Sequence, residues 1–240
     1  MLTRNSLLLA RAGMIAILIA ACVVLRAAAE PEAELGVELG IESGVGPEAQ
    51  LAHETQPAAP IDLISNGSFE SAAGSWPDGF GRWIAQGQPE LAIDEEFAHS
   101  GSRSIRITGD GLSRASLNST VYVEGGRTYR LSVWYRSDRT QLPGNTIMRV
   151  MAFKTDGQAE SDKVPWSMTW VHDPGESAYA LAGNNFHVSP LQWDAGDGWH
   201  PLAVTFTLPD NVIRLEIQLF NWLGYGTVWY DDLSLTLLPT

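Results

Sequence analysis

One cysteine, Cys22, occurs in the 240 residues, and it lies among the first thirty. No disulfide can therefore staple whatever folds after it, so rigidity must come from a large core or from a bound metal. Positive charge is also scarce: 15 Lys and Arg stand against 28 Asp and Glu, for a formal charge of -13. No basic patch interrupts that balance, which argues against a nucleic-acid partner. Aromatics are absent from the first 68 residues, and all nine Trp, six Tyr and seven Phe lie beyond them. Beyond residue 61 no stretch has the three-to-four-residue period of an amphipathic helix over a useful length. The chain also lacks a G-x-S-x-G elbow, an H-E-x-x-H pair and a glycine-rich phosphate loop. His99, His172, His187 and His200 have no metal-ligand spacing, and His172-Asp173, readable as a base and its orienter, has no evident activated nucleophile beside it.

What is present falls into three parts. Residues 1–29 form a targeting segment, in which Arg4 and Arg11 precede a 14-residue apolar run, Ala12 to Leu25, short for a membrane span. Three processing routes fit it. Ile19-Ala20-Ala21-Cys22 resembles a lipoprotein box, Ala27-Ala28-Ala29 a conventional cleavage site, and a run begun at Leu7 an uncleaved membrane tether. Each route implies export to an extracellular, periplasmic or cell-surface location. Residues 30–60 carry seven Glu and no Lys or Arg, with repeated Gly, Ala and Pro, the composition of a flexible acidic linker.

Residues 61–240 are the domain. Short runs of two-residue alternation separated by turns predict an all-β sandwich or barrel. In Thr128–Ser137, Tyr129, Leu131, Val133 and Tyr135 form an apolar side and Thr128, Arg130, Ser132, Trp134 and Arg136 a basic, aromatic one. In Ile213–Trp222, Ile213, Leu215, Ile217 and Leu219 alternate with Arg214, Glu216, Gln218, Phe220 and Trp222. Ile147–Thr155 reads as a strand with apolar residues on both sides. Ala115–Leu117 and Val121–Val123 read as two short strands, and Trp76–Trp83 as a packed loop. In the closing strand Trp229, Leu233, Leu235 and Leu237 share one side, and Tyr230, Asp232, Ser234 and Thr236 the other. Asp231 falls in register with the apolar side, where an unpaired charge is too costly. It must be hydrogen-bonded, ion-paired or metal-bound.

The domain resembles the jelly-roll carbohydrate-binding modules appended to bacterial xylanases and glucanases. The resemblance runs from Leu63-Ile64-Ser65-Asn66-Gly67-Ser68-Phe69-Glu70, through Ala98-His99-Ser100-Gly101-Ser102-Arg103-Ser104-Ile105 and Thr128–Trp134, to Gly198-Trp199 and the terminal Tyr230-Asp231-Asp232-Leu233-Ser234-Leu235. It implies a jelly-roll β-sandwich of two antiparallel sheets. It also implies a structural calcium, with oxygens from Glu70 and Asp231 and carbonyls near Gly67, His99 and Arg103, which would tie the first strand to the last. The alternative is that Asp231 caps a turn or bonds backbone amides while Glu70 is simply exposed.

In such modules a polysaccharide or oligosaccharide lies across the concave sheet, apolar sugar faces on aromatic planes and hydroxyls on polar side chains. If the two long strands share a sheet, Arg130, Trp134, Arg136, Glu216, Gln218, Phe220 and Trp222 form the floor of that cleft. Trp83, Trp166, Trp170, Trp193 and Tyr225 are candidates for its rim. Arg130 and Glu216 could instead be a solvated cross-strand ion pair. Non-catalytic glycan binding is the leading expectation. A structural or protein-interaction domain of the same fold is the second, and a polysaccharide hydrolase or lyase the third.

Overall fold

The computed structural model describes residues 60–138, 145–166, 168–174, 176–181, 184–191 and 198–239. The targeting segment, the linker up to residue 59, and Trp193 lie outside the described residues.

Fifteen strands follow in chain order: β1 (Ala72–Ala73), β2 (Trp76–Pro77), β3 (Gly81–Gln86), β4 (Glu90–Asp94), β5 (Ser104–Asp110), β6 (Arg114–Tyr122), β7 (Thr128–Ser137), β8 (Thr146–Phe153), β9 (Lys163–Val164), β10 (Trp170–His172), β11 (Glu176–Leu181), β12 (Asn185–Pro190), β13 (His200–Thr207), β14 (Arg214–Trp222) and β15 (Tyr225–Leu237). Thirteen of them build two large antiparallel sheets, and β1 and β2 pair as a separate two-stranded ribbon. The six-stranded sheet has the order β10-β13-β7-β15-β5-β4. The seven-stranded sheet has the order β11-β12-β8-β14-β6-β3, with β9 added on β8. Neighbours in space are mostly distant in sequence, as in a jelly roll.

Alternation decides which side of each strand is core. From the six-stranded sheet, Tyr129, Leu131, Val133, Tyr135, Leu202, Val204, Phe206, Ile105 and Ile107 point inward. They meet Leu215, Ile217, Leu219, Met148, Val150, Leu117 and Val121 of the other sheet in one core. The core side of β7 and β14 is the one their alternation predicts. β8 is buried on both faces, as its composition implies: Met148 and Val150 belong to the core, while Ile147, Met151 and Phe153 are buried on the outer side.

Two expectations are corrected. Ala115–Leu117 and Val121–Val123 are not separate strands. Both lie along β6, continuous from Arg114 to Tyr122, because Asn118 to Thr120 pair with Gln218 to Glu216 of β14 and carry the ladder through. Trp76–Trp83 is not one packed loop either, since it contains β2 and the start of β3, the latter paired with β6.

The first and last segments of the domain meet through the backbone. The Leu63 amide donates to the Leu235 carbonyl at 2.9 Å, and the Leu233 amide to the Gly67 carbonyl at 2.9 Å. Asp62 Oδ1 accepts from the amides of Ile64 and Leu235. The approach is so close that a Cβ on Gly67 would lie 1.7 Å from the Leu233 carbonyl oxygen, which leaves glycine as the residue that fits.

Candidate functional site

The closing strand β15 changes phase in its middle. Its pairing with β7 slips between Asp231 and Ser234, and Asp232 adopts φ 49°, the left-handed conformation that Asp tolerates better than most residues. Before the bulge, Val228 and Tyr230 point into the core; after it, Leu233 and Leu235 do. Trp229 is therefore on the outer side, contrary to the single alternating set read from the sequence, and Tyr230 is fully buried with its hydroxyl donating to the Phe220 carbonyl at 2.6 Å.

Asp231 pairs across the sheet with Trp134, and directly opposed residues share a face. Its carboxylate is thus on the outer side of the six-stranded sheet, yet its exposure is 0%. The loop from residue 95 to residue 103 covers it. Oδ2 accepts from the amides of His99 (2.8 Å) and Ser100 (3.1 Å), and Oδ1 from the Asp232 amide (2.7 Å). Burial pushes its pKa up to about 6, while those amides pull in the other direction. Glu70 grips the far end of the same loop. Its Oε1 accepts from the amides of Ser102 (2.8 Å) and Arg103 (2.9 Å), and its Oε2 from the Ser102 hydroxyl. The Ser102 amide is the main cause holding this carboxyl below its ordinary range.

The residues of the calcium expectation are therefore neighbours of one loop. Two carboxylates and several carbonyls are hard-oxygen chemistry of the kind calcium takes. All four carboxylate oxygens already accept hydrogen bonds, and the Gly67 carbonyl accepts from Leu233. Three amide donors are enough to account for a buried Asp231 without an ion. Among the described residues no cluster of three or more His, Cys, Asp or Glu is positioned to hold a metal.

The seven proposed cleft residues do not lie on one sheet. Arg130, Trp134 and Arg136 sit on β7 in the six-stranded sheet, and Glu216, Gln218, Phe220 and Trp222 on β14 in the seven-stranded one. Both sets face away from the core, so they look out from opposite sides of the sandwich. Alternation gives the face of a strand but not its partner sheet, which is why sequence could not separate the sets. Each β7 residue also has a local partner. Arg130 pairs with Asp173 at 2.8 Å, not with Glu216. The Trp134 indole stacks on the His99 imidazole at 3.9 Å and 14°. The Arg136 guanidinium lies 4.1 Å from the Phe97 ring centroid.

The outer face of the seven-stranded sheet is more open in character. Phe220 is nearly enclosed by its own neighbours: Trp83 edge-on at 5.8 Å, Trp222 at 5.5 Å, and the Arg149 guanidinium at 4.5 Å. Trp83 and Trp222 remain partly exposed, and Arg114 lies 5.0 Å from the Trp222 ring. Polar groups continue across the strands. Asn118 of β6 pairs with Gln218 of β14, which pairs with Arg149 of β8, which pairs with His187 of β12, which pairs with Tyr179 of β11. Arg149 Nε donates to Gln218 Oε1 at 2.6 Å, and Gln218 Nε2 donates to Glu216 at 2.8 Å. The His187 ring nitrogens and Asn185 Oδ1 are buried with no hydrogen-bond partner among the described residues. Burial, with the Arg149 charge beside it, lowers His187 to about 4.

Among the rim candidates, Trp83 belongs to this face. Trp166 and Trp170 do not, because both pack on Phe186 at the core. Trp199 is on the other side of the sandwich, edge-on to His99. Arg149 and His187 were not anticipated. The signal available was a lone polar residue set between core residues: Arg149 between Met148 and Val150, and His187 between Phe186 and Val188.

Comparison with known proteins agrees with this architecture. No curated protein matches the chain. Among solved structures, the enzymatically active domain of tailspike protein 4 of bacteriophage CBA120 superposes with TM-score 0.51 at 15% identity. The match covers 74% of this chain and 22% of that one, so the chain spans about a fifth of that domain's length. A CBM61 module in complex with β-1,4-galactotriose gives TM-score 0.44 at 12% identity, over 74% of this chain and 99% of the module. A CBM4 structure gives TM-score 0.43 at 15% identity, over 73% and 99%. Residues 62–177, just under half of the chain, match the family model described as a carbohydrate binding domain, CBM_4_9, in keeping with the resemblance read from the motifs, and the fold is the jelly-roll β-sandwich that the resemblance implies.

Proposed function

We propose that the outer face of the seven-stranded sheet binds a polysaccharide or oligosaccharide without cleaving it. The observation that carries this reading is the juxtaposition on one face of two partly exposed indoles, Trp83 and Trp222, with buried polar atoms at His187 and Asn185 that lack partners among the described residues. Sugars supply the complement of both: C–H faces for the indoles, and hydroxyls that donate and accept for the bare nitrogens and oxygen. Along β6, β14, β8 and β12 this face carries one carboxylate, Glu216. Glycoside hydrolysis of the usual kind takes a pair, so a binding role suits the face better than a catalytic one. Export through the N-terminal segment would bring the module to extracellular glycans.

Affinity electrophoresis of the full chain in gels containing xylan, β-glucan or galactan tests this. Trp222→Ala is expected to lose retardation at least tenfold, the effect of removing a stacking platform. Trp134→Ala, on the opposite sheet, is expected to migrate like the parent protein. Loss with Trp134→Ala and none with Trp222→Ala would assign binding to the wrong sheet.

A structural calcium at the 99–103 loop, held by Glu70, Asp231 and the carbonyls of Gly67, His99 and Arg103, is the second part of the proposal, supported by the donor chemistry. An ion bound only by the folded state raises the melting temperature. EGTA is then expected to lower the melting temperature by several degrees and calcium to restore it. A melt unchanged by chelator leaves the amide cradle as the whole of the device.

A further inference from the structure

We propose that the saccharide recognised on the seven-stranded sheet bears a carboxylate, a uronic acid, read by Arg149 and His187. This rests on the glycan-binding reading of that face and names the class of sugar it selects.

The argument begins with how the arginines are paired. On and around the six-stranded sheet Arg103, Arg106 and Arg130 each have a carboxylate partner within 4.0 Å. Arg149 and Arg114, on the outer face of the other sheet, have none among the described residues, in a chain where acidic residues outnumber basic ones 28 to 15. Among the described residues Arg149 bonds only the neutral amide oxygen of Gln218, through Nε and one terminal nitrogen, and its second terminal nitrogen has no bond. Glu216 acts on it from behind that same amide, accepting the Gln218 Nε2 hydrogen at 2.8 Å. The guanidinium is half-buried, and burial is the main cause lowering its pKa. A cation drawn out of water with only a neutral partner lacks the compensation that such charges ordinarily find.

His187 sits directly across from Arg149 in the ladder, 7% exposed, with neither ring nitrogen bonded among the described residues. A neutral imidazole offers one donor and one acceptor. The Tyr179 ring lies 5.4 Å from it, at the open side of the same pair of strands. A carboxylate placed between the free guanidinium nitrogen and the imidazole N–H would pair the cation and satisfy the donor together. A neighbouring ring hydroxyl would donate to the other imidazole nitrogen. A neutral sugar can satisfy the imidazole but leaves the arginine charge as it is. Charge-assisted bonds of this kind are about twice as strong as neutral ones.

The test uses the full chain in affinity gels and titration calorimetry, with polygalacturonate and polymannuronate as acidic probes, fully methyl-esterified polygalacturonate as the same backbone without charge, and xylan and galactan as neutral probes. The expected result is at least tenfold tighter binding of one free polyuronate than of the esterified or neutral polymers, weakening between 0.05 and 0.5 M NaCl, on the order of a Debye-length change from above 10 Å to below 5 Å. Arg149→Gln should reduce the acid-over-ester ratio to below threefold, with Trp222→Ala losing both. Equal binding of the free and esterified polymers, or binding of neutral polymers alone, overturns the uronate assignment and leaves glycan binding standing. No retardation by any probe overturns both. If Arg149→Gln fails to fold by circular dichroism, the free-versus-ester comparison on the parent protein still decides.

Discussion

Replacing Asp231 with alanine is expected to lower the free energy of unfolding by about 3–5 kcal/mol, read from urea denaturation at pH 7. The carboxylate is fully enclosed and satisfies three amides, those of His99, Ser100 and Asp232. Alanine leaves these donors buried and unpaired beneath the 95–103 loop, each at a cost of about 1–3 kcal/mol before relaxation. Asp231→Asn should lose less, because its single amide oxygen can still accept from one side of the cradle. Glu70→Ala removes acceptors from Ser102 and Arg103 at the exposed end of the same loop, where water can replace them, so its loss should be clearly smaller. Equal losses for Asp231→Ala and Glu70→Ala would show that enclosure is not what makes Asp231 matter.

The contribution of Glu176 to stability is expected to fall as pH rises from about 4.5 to about 7. This carboxyl, 5% exposed, lies on β11 of the seven-stranded sheet, and its Oε1 accepts from the Ala203 amide of β13 in the other sheet at 2.6 Å. Its Oε2 accepts from the Asp173 amide at 3.2 Å. Burial raises its pKa from 4.5 to about 7 against the pull of these amides. The folded state therefore holds a proton that the unfolded chain has released between those two values. Stability from this group is complete below pH 4.5 and declines up to about pH 7, by about 3 kcal/mol in all. Glu176→Gln keeps the shape without the titration. The parent-minus-variant difference in unfolding free energy should decrease by that amount across the range, and a difference flat with pH would sink the assignment.

The two carboxylates differ in how legible they were. Asp231 stands out in the sequence because it interrupts an apolar alternation, and the inference that it must have partners is sound. Its side of the sheet was not legible. The bulge at Asp231 and Asp232 moves Trp229 outward and Tyr230 inward, and a bulge of this kind leaves no mark in a two-residue pattern except an irregularity that a polar residue also produces. Glu176 gave no signal, since it faces the core only because β11 packs its edge against β13. The same holds for Arg149 and His187, whose neighbours are core residues but whose own faces come together only across β8 and β12.

By itself the sequence determined the fold class and the buried sides of the long regular strands. Two-residue alternation, turn residues and the terminal motifs specify an all-β jelly roll, and the core of β7, β13 and β14 is the apolar set each strand displays. Local physics suffices there, because a pleated strand presents alternate residues to opposite faces whatever it pairs with. Tertiary structure decided which strands are neighbours. It put Trp134 and Trp222 on opposite sides of the sandwich, gave Arg130 to Asp173, packed Trp166 and Trp170 on the core, and set Arg149 beside His187 with no carboxylate within 4.0 Å among the described residues. Those outcomes follow from strand order and register between segments far apart in the chain, which one strand's own pattern does not encode.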